Sequence, residues 1–190
     1  MLALAISHAH ALGINRISSS EKMTVFEDEL FRRIWWCIYV LDRRLCLETG
    51  RPFLVLDMNT DAALPSDVDE SWMSRHKDLT ERAADLDPTA FPVSGELQSS
   101  PVAYLKAMIG YSRIWGKVWE AMYAAPVAKQ PLNNLLREYL ENSLDQWRQT
   151  LPAALIWIYP RSHGMSSFPA NSGTRQRFIL HLVSHYSLPP

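Results

Sequence analysis

The side chains able to do chemistry in this sequence are few, and their spacing decides which chemistry to consider. Cys37 and Cys46 are its two cysteines. As thiolates they could bind zinc, but nine steps of roughly 100° along one helix put them on opposite faces, where one ion cannot take both. Asp57-Met-Asn-Thr-Asp61 has the opening of a calcium loop. The glycine that such a loop needs at its sharp turn is Ala62, and its closing glutamate is Val68, which argues against calcium. His181 and His185 lie four apart, as on the helix of a zinc protease, but Leu182 stands where that motif carries its glutamate. Half-buried packing is the expected role of that pair. His8 and His10 are too far apart around a helix to chelate together.

Acid–base and nucleophilic chemistry find little more. Asp42 is the carboxylate inside the most apolar run, "RRIWWCIYVLDRRLCLETGRP", Arg32 to Pro52. Buried without a partner it could serve as an acid; with arginines close on both sides, an ion pair is expected instead. Arg51 is the expected partner, carried back along the helix by the turn at Gly50, because Arg43 and Arg44 leave the helix in diverging directions. The sequence has no G-x-S-x-G elbow, phosphate-cradling glycine loop or dinucleotide fingerprint. Its seven tryptophans could stack on bases or cage a ligand. Five of them fall on helical stripes, which assigns most to the core.

Composition is that of a soluble globular protein: 47% hydrophobic and 21% charged over 190 residues, enough for one domain with a sizeable core. Nineteen basic against twenty acidic residues give a formal charge of −1, whereas a general nucleic-acid binder carries a cationic excess. No apolar run has the length of a membrane span. The start, "MLALAISHAHALGINR", lacks the basic region of a secretory signal. Two separated cysteines fit a reducing compartment.

The elements that must position these residues are helical nearly throughout. Leu2, Ile6, Ala9 and Leu12 share a face of a first helix that Gly13 should end, with Ile14 folding back on the last turn. A second helix, about 24–49, opens with Thr24 and Glu27 in a capping box and closes at Gly50, with Arg51 extended before Pro52. Its apolar rows, Leu30, Ile34, Ile38, Leu41, Leu45 beside Phe31, Trp35, Tyr39, with Trp36 and Val40 widening the arc, predict a central helix buried on several sides. Residues 53–100 read as connection, with a flexible segment at about 66–100. A third helix starts at Ser100-Pro101 and carries Leu105, Met108, Ile109, Trp115, Val118, Trp119 and Met122. A fourth runs from about Leu132 to Leu151 with Leu136, Leu140, Leu144 and Trp147 as its stripe. "RQRFILHLVSHYSLPP" begins a fifth. The fold class expected is all-α, an irregular multi-helix domain. With no cap before Leu2 and a last helix that stops in mid-pattern, both ends read as cut from a longer parent.

The quoted run closely resembles the signature of the fungal-specific transcription factor domain, the middle homology region of zinc binuclear cluster regulators. The matching residues are Glu29, Arg32, Arg33, Trp35, Trp36, Leu41, Asp42, Arg43, Gly50, Arg51 and Pro52. "AISHAHALGINR" resembles the family's preceding helix, with Ile14 and Asn15 as departures, and "LDMNTDAALP" resembles its following segment, ending at Leu64 and Pro65. "LDQWRQTLPAAL" and "RFILHLVSHYSL" resemble later helices of the domain. The resemblance implies that residues 1–190 are part of a regulatory domain that modulates transcription in the nucleus, without catalysis and with the signature residues as scaffold. In the family, zinc and DNA belong to an N-terminal six-cysteine cluster, and two cysteines cannot supply it. This chain is therefore expected to hold no cofactor and to contact neither nucleic acid nor membrane directly. The partners implied are family members in a homo- or heterodimer, the transcription machinery or a small-molecule inducer. Two rival readings compete with it. One is a stand-alone helical inhibitor that pairs with full-length relatives and exposes an apolar face; the other is a metal-dependent helical enzyme using His181, His185 and a carboxylate.

Overall fold

The computed structural model describes residues 1–17, 23–68, 70–76, 101–123 and 134–156. Within them lie α1 (Leu2–Leu12), α2 (Val25–Thr49), α3 (Glu70–His76), α4 (Pro101–Tyr123) and α5 (Asn134–Thr150), with single 3-10 turns at Asp57–Asn59 and Ala153–Leu155. The protein is all-α, as the periodicity predicts. The fifth helix expected near the C-terminus, residues 77–100 of the expected flexible segment, and the histidines His181 and His185 lie outside the described residues.

Local signals account for the helix limits. Gly13 takes the left-handed conformation (φ 71°) that ends α1, its N–H bonding back to the carbonyls of Ala9 and His10. Ile14 follows it into the core, its own N–H on Ala9 O at 3.2 Å. Thr24 and Glu27 form the full capping box of α2, each side chain bonded to the other's backbone N–H. Gly50 ends α2 in the left-handed region, its N–H on Cys46 O.

α2 is the central element, with α4 packed along one side and α1 across it; α5 packs in turn on α4. Trp35, Trp36 and Tyr39 join Ile6, Ala9, Ile14, Val55 and Ile109 in one buried cluster. A second gathers Ala107, Tyr111, Leu144, Trp147 and Leu155 between α4 and α5. The two helices approach closely at Gly110, where a Cβ would sit 2.9 Å from Trp147 Cδ1. That approach lets the Trp147 indole N–H reach Ala107 O at 2.9 Å.

Three expectations need correction. α2 is not buried all round: Leu30, Ile34, Leu41 and Leu45 are exposed, while Trp35, Trp36, Tyr39, Asp42, Arg43 and Cys46 face the core. Apolar rows on both sides made the periodicity ambiguous, and the bulkier aromatic row took the interior, since more area leaves water there. Leu12 and Leu136 likewise stand exposed although each lies on its helix's apolar stripe. Finally, the described part of the expected connection is built into the fold: residues 53–68 form a fitted strap, with Val55, Pro65 and Val68 buried, and 70–76 form α3, which buries Met73. The acidic, turn-prone composition hid an apolar residue every few positions.

Candidate functional site

What brings the signature residues together is the strap 53–68, which they fasten along α2. Asp42 is 1% exposed, inside the packed face of the helix. Its Oδ2 accepts from the backbone N–H groups of Leu54 and Val55, both at 3.0 Å, and from Arg43 Nη1 at 3.2 Å. The buried carboxylate and its ion pair are as expected, but the partner is Arg43. Arg51 stands exposed on the surface. The reason is backbone capture. The chain leaving Gly50 delivers two adjacent N–H groups to Asp42, which with Arg43 engage its carboxylate without Arg51.

Arg43 is equally enclosed. Nη1 also donates to Val55 O at 2.8 Å, and Nη2 donates to Asp57 Oδ1 at 2.9 Å. The guanidinium lies between two rings, 4.4 Å from the Tyr39 centroid and 3.9 Å from that of Phe53. Phe53 in turn meets Trp119 of α4 edge-on at 5.0 Å. Tyr39 OH donates to the same Asp57 oxygen at 2.7 Å. On the far side, Gly116 lets α4 close on Arg43; a Cβ there would lie 3.3 Å from Arg43 Nε. Helix, strap and α4 thus meet on one guanidinium.

Further along, Glu29 repeats the device. Its Oε1 takes Arg33 Nε at 2.7 Å and its Oε2 takes the Ser66 N–H at 2.9 Å, while Arg33 Nη2 donates to Val68 O. Trp36 Nε1 donates to Ala63 O at 2.8 Å. Arg32 pairs with Asp28 one turn back. Asn15, a departure from the family pattern, has its own place here. Its Nδ2 donates to Asn59 O at 2.7 Å and its carbonyl accepts from Asp61 and Ala62 N–H, tying the end of α1 to the strap.

Of the residues singled out in the sequence, the structure therefore joins Glu29, Arg33, Trp36, Asp42 and Arg43 on the strap, buries Trp35 and Pro65, and ends α2 at Gly50. It leaves Leu41, Arg51, Pro52 and Leu64 exposed. Tyr39, Phe53, Val55 and Asp57 were missed as members of the site. Asp57 was weighed as a calcium ligand and as part of the segment after the signature, not as a partner of Arg43; its spacing from Arg43 carries no local signal, because the contact crosses a turn.

The two weak acids beside the network, Tyr39 and Cys46, both keep their protons near neutral pH. Burial pushes the Tyr39 hydroxyl well above the usual phenol range, and pushes the Cys46 thiol up to about 11, with the neighbouring Asp42 charge adding to it. Cys46 points its thiol at Asp42 Oδ1, 4.0 Å away, while Cys37 faces outward. Among the described residues no three of His, Cys, Asp and Glu converge as a metal site. A cleft between Ile14, Phe31, Arg32 and Ala62 has room for about one water.

In this all-α domain the side chains of Glu29, Arg33, Trp36, Asp42 and Arg43 each bind backbone of the strap. The fungal specific transcription factor domain matches residues 1–149. The chain belongs to that family. It is 29% identical over 150 residues to an uncharacterized transcriptional regulatory protein of Schizosaccharomyces pombe, covering 78% of this chain and 16% of that protein. It is 27% identical over 154 residues to an ABC-transporter-regulating transcription factor of Aspergillus fumigatus, covering 80% and 15%. With pyrimidine pathway regulatory protein 1 of Saccharomyces cerevisiae it shares 32% over 137 residues, covering 72% and 13%. The chain thus spans about a sixth of the length of these relatives or less. No solved structure matches it significantly.

Proposed function

We propose that this chain is the regulatory part of a nuclear transcription factor, which works by changing the output of a separate DNA-reading module and not by catalysis. The family membership and the transcriptional roles of the relatives support this reading. The observation that carries it is the use of the signature: Arg32, Arg33 and Arg43 each face a carboxylate of the chain itself. Cations so neutralised inside a fold do not present phosphate-binding charge. DNA and zinc then belong to a cluster on another part of the polypeptide. The chain acts through partners that sense its state, family members, the transcription machinery or an inducer.

A reporter assay tests it. The chain is placed between an unrelated DNA-binding domain and an activation domain, and output is compared with the same fusion lacking it. A several-fold change at equal protein level is expected, and its reversal by Arg43→Ala, which loosens the strap, is expected with it. Unchanged output refutes the regulatory reading. Sequence-specific binding of DNA by the chain alone would refute the division of labour.

The rival reading, a helical inhibitor that pairs with relatives, gains support from one observation, the exposed apolar row of α2. The two readings are compatible in mechanism, since both regulate through protein contact.

A further inference from the structure

Three serines or threonines of the sequence stand three residues before an acidic side chain: Ser18, Thr24 and Ser66. Kinases that select acidic substrates read that spacing through the opposite charge of their own cleft, and further acids nearby strengthen the match. Ser66 has the densest run, with Asp67 beside it and Asp69 and Glu70 beyond. The structure separates the candidates. Thr24 is closed, because its hydroxyl donates to Glu27 Oε2 and accepts from Glu27 N–H inside the capping box. Ser18 lies outside the described residues. Ser66 is partly exposed in the non-helical end of the strap, and its hydroxyl bonds none of the described residues. We propose that Ser66 is a phosphorylation site for an acidic-directed protein kinase, and that its phosphate unfastens the end of the strap from α2 and α4.

The step is phosphoryl transfer from ATP. Ser66 Oγ attacks the γ-phosphorus, the bond to the β–γ bridging oxygen breaks, ADP leaves, and the hydroxyl proton passes to a base of the kinase. The consequence follows from where the phosphate lands. Ser66 donates its N–H to Glu29 Oε2 at 2.9 Å, Asp67 pairs with Lys106 of α4 at 2.7 Å, and Val68 O accepts from Arg33 Nη2 at 2.9 Å. Charge here is balanced, Glu29 and Asp67 against Arg33 and Lys106. A phosphate adds up to about two negative charges at neutral pH. It hangs on the residue whose own N–H binds Glu29, so in the closed strap it stands close to that carboxylate. Glu29 is 6% exposed, and the low dielectric of an enclosed site strengthens the repulsion. Arg33 and Lys106 can neutralise the newcomer only by leaving Glu29, Val68 O or Asp67. Either way a fastening breaks. Pro65 and Val68, buried on either side, keep Ser66 against the fold. The kinase therefore takes the strap in its locally opened form, and the phosphate keeps it from closing. The regulatory use of that opening rests on the proposed function, whereas the site and the release are read on the chain alone, apart from any reporter.

The test treats the folded 190-residue chain, carrying Ser18→Ala, with casein kinase II and ATP, followed by mass mapping and amide hydrogen exchange. The expected result is one phosphate per chain, at Ser66. Ser66→Ala, which keeps the backbone N–H for Glu29, should abolish it. Asp69→Asn combined with Glu70→Gln should slow it by about tenfold or more. Thr24 should take phosphate only once the chain is denatured. In the phosphorylated chain, exchange over 66–68 should rise by roughly tenfold or more, while α2 keeps its protection at Trp35, Trp36 and Tyr39. A folded chain left unmodified at Ser66 overturns the site, as does equal labelling of Thr24. Exchange that is unchanged or slower over 66–68, or protection lost throughout α2, overturns the local release.

Discussion

Replacing Asp42 by alanine removes the point at which α2 grips the strap. The carboxylate is nearly fully enclosed and accepts from Leu54 N–H, Val55 N–H and Arg43. Without it two backbone donors lose their acceptor, and each such buried group costs about 1–3 kcal/mol. Arg43 keeps Val55 O and Asp57, so the change does not leave an isolated cation. The loss should therefore come mainly from the two backbone donors, at about 2–5 kcal/mol. Arg43→Ala should cost a similar amount, and the double substitution clearly less than the sum, because both remove one network. Arg51→Ala, at an exposed position, should change stability by about 0.5 kcal/mol or less. Urea unfolding followed by circular dichroism reads all four, and in a chain of this size the larger losses lower Tm by roughly 10 °C. An Asp42→Ala loss below about 1 kcal/mol, or an Arg51→Ala loss equal to that of Arg43→Ala, would refute the assignment of the pair.

Gly110→Ala places a methyl group 2.9 Å from Trp147. It should destabilise by about 1–3 kcal/mol, with a changed tryptophan fluorescence as the α4–α5 contact opens. Gly50→Ala meets no atom within 4 Å, so its expected cost of about 1 kcal/mol is backbone strain at φ 66° alone, and Gly50→Asn should recover part of it. The backbone N–H of Thr24 holds the Glu27 carboxyl below the usual glutamate range, so the capping box is fully formed above that range. Its contribution should disappear as pH falls through the lowered value, which an NMR titration of the Glu27 carboxyl would locate.

Much of this molecule is written locally. Capping boxes, left-handed glycines and helical spacing are decided within a few residues, so Thr24, Glu27, Gly13, Gly50 and the all-α class could be read directly from the order of residues. The burial of Asp42 was legible too, since a carboxylate in an apolar row must be paired. What tertiary structure alone decided was which of two apolar faces of α2 turned inward, and which arginine reached Asp42. Both depend on where the strap 53–68 returns. Val55 and Asp57 come to Arg43 across the Gly50 turn, at twelve and fourteen residues' separation, and Gly116 closes over it from another helix. Helical periodicity says nothing about such contacts, because it describes one element at a time. The choice between faces was settled by the joint fit of strap and α4 against Trp35, Trp36 and Tyr39, which leaves the leucine row of α2 facing out.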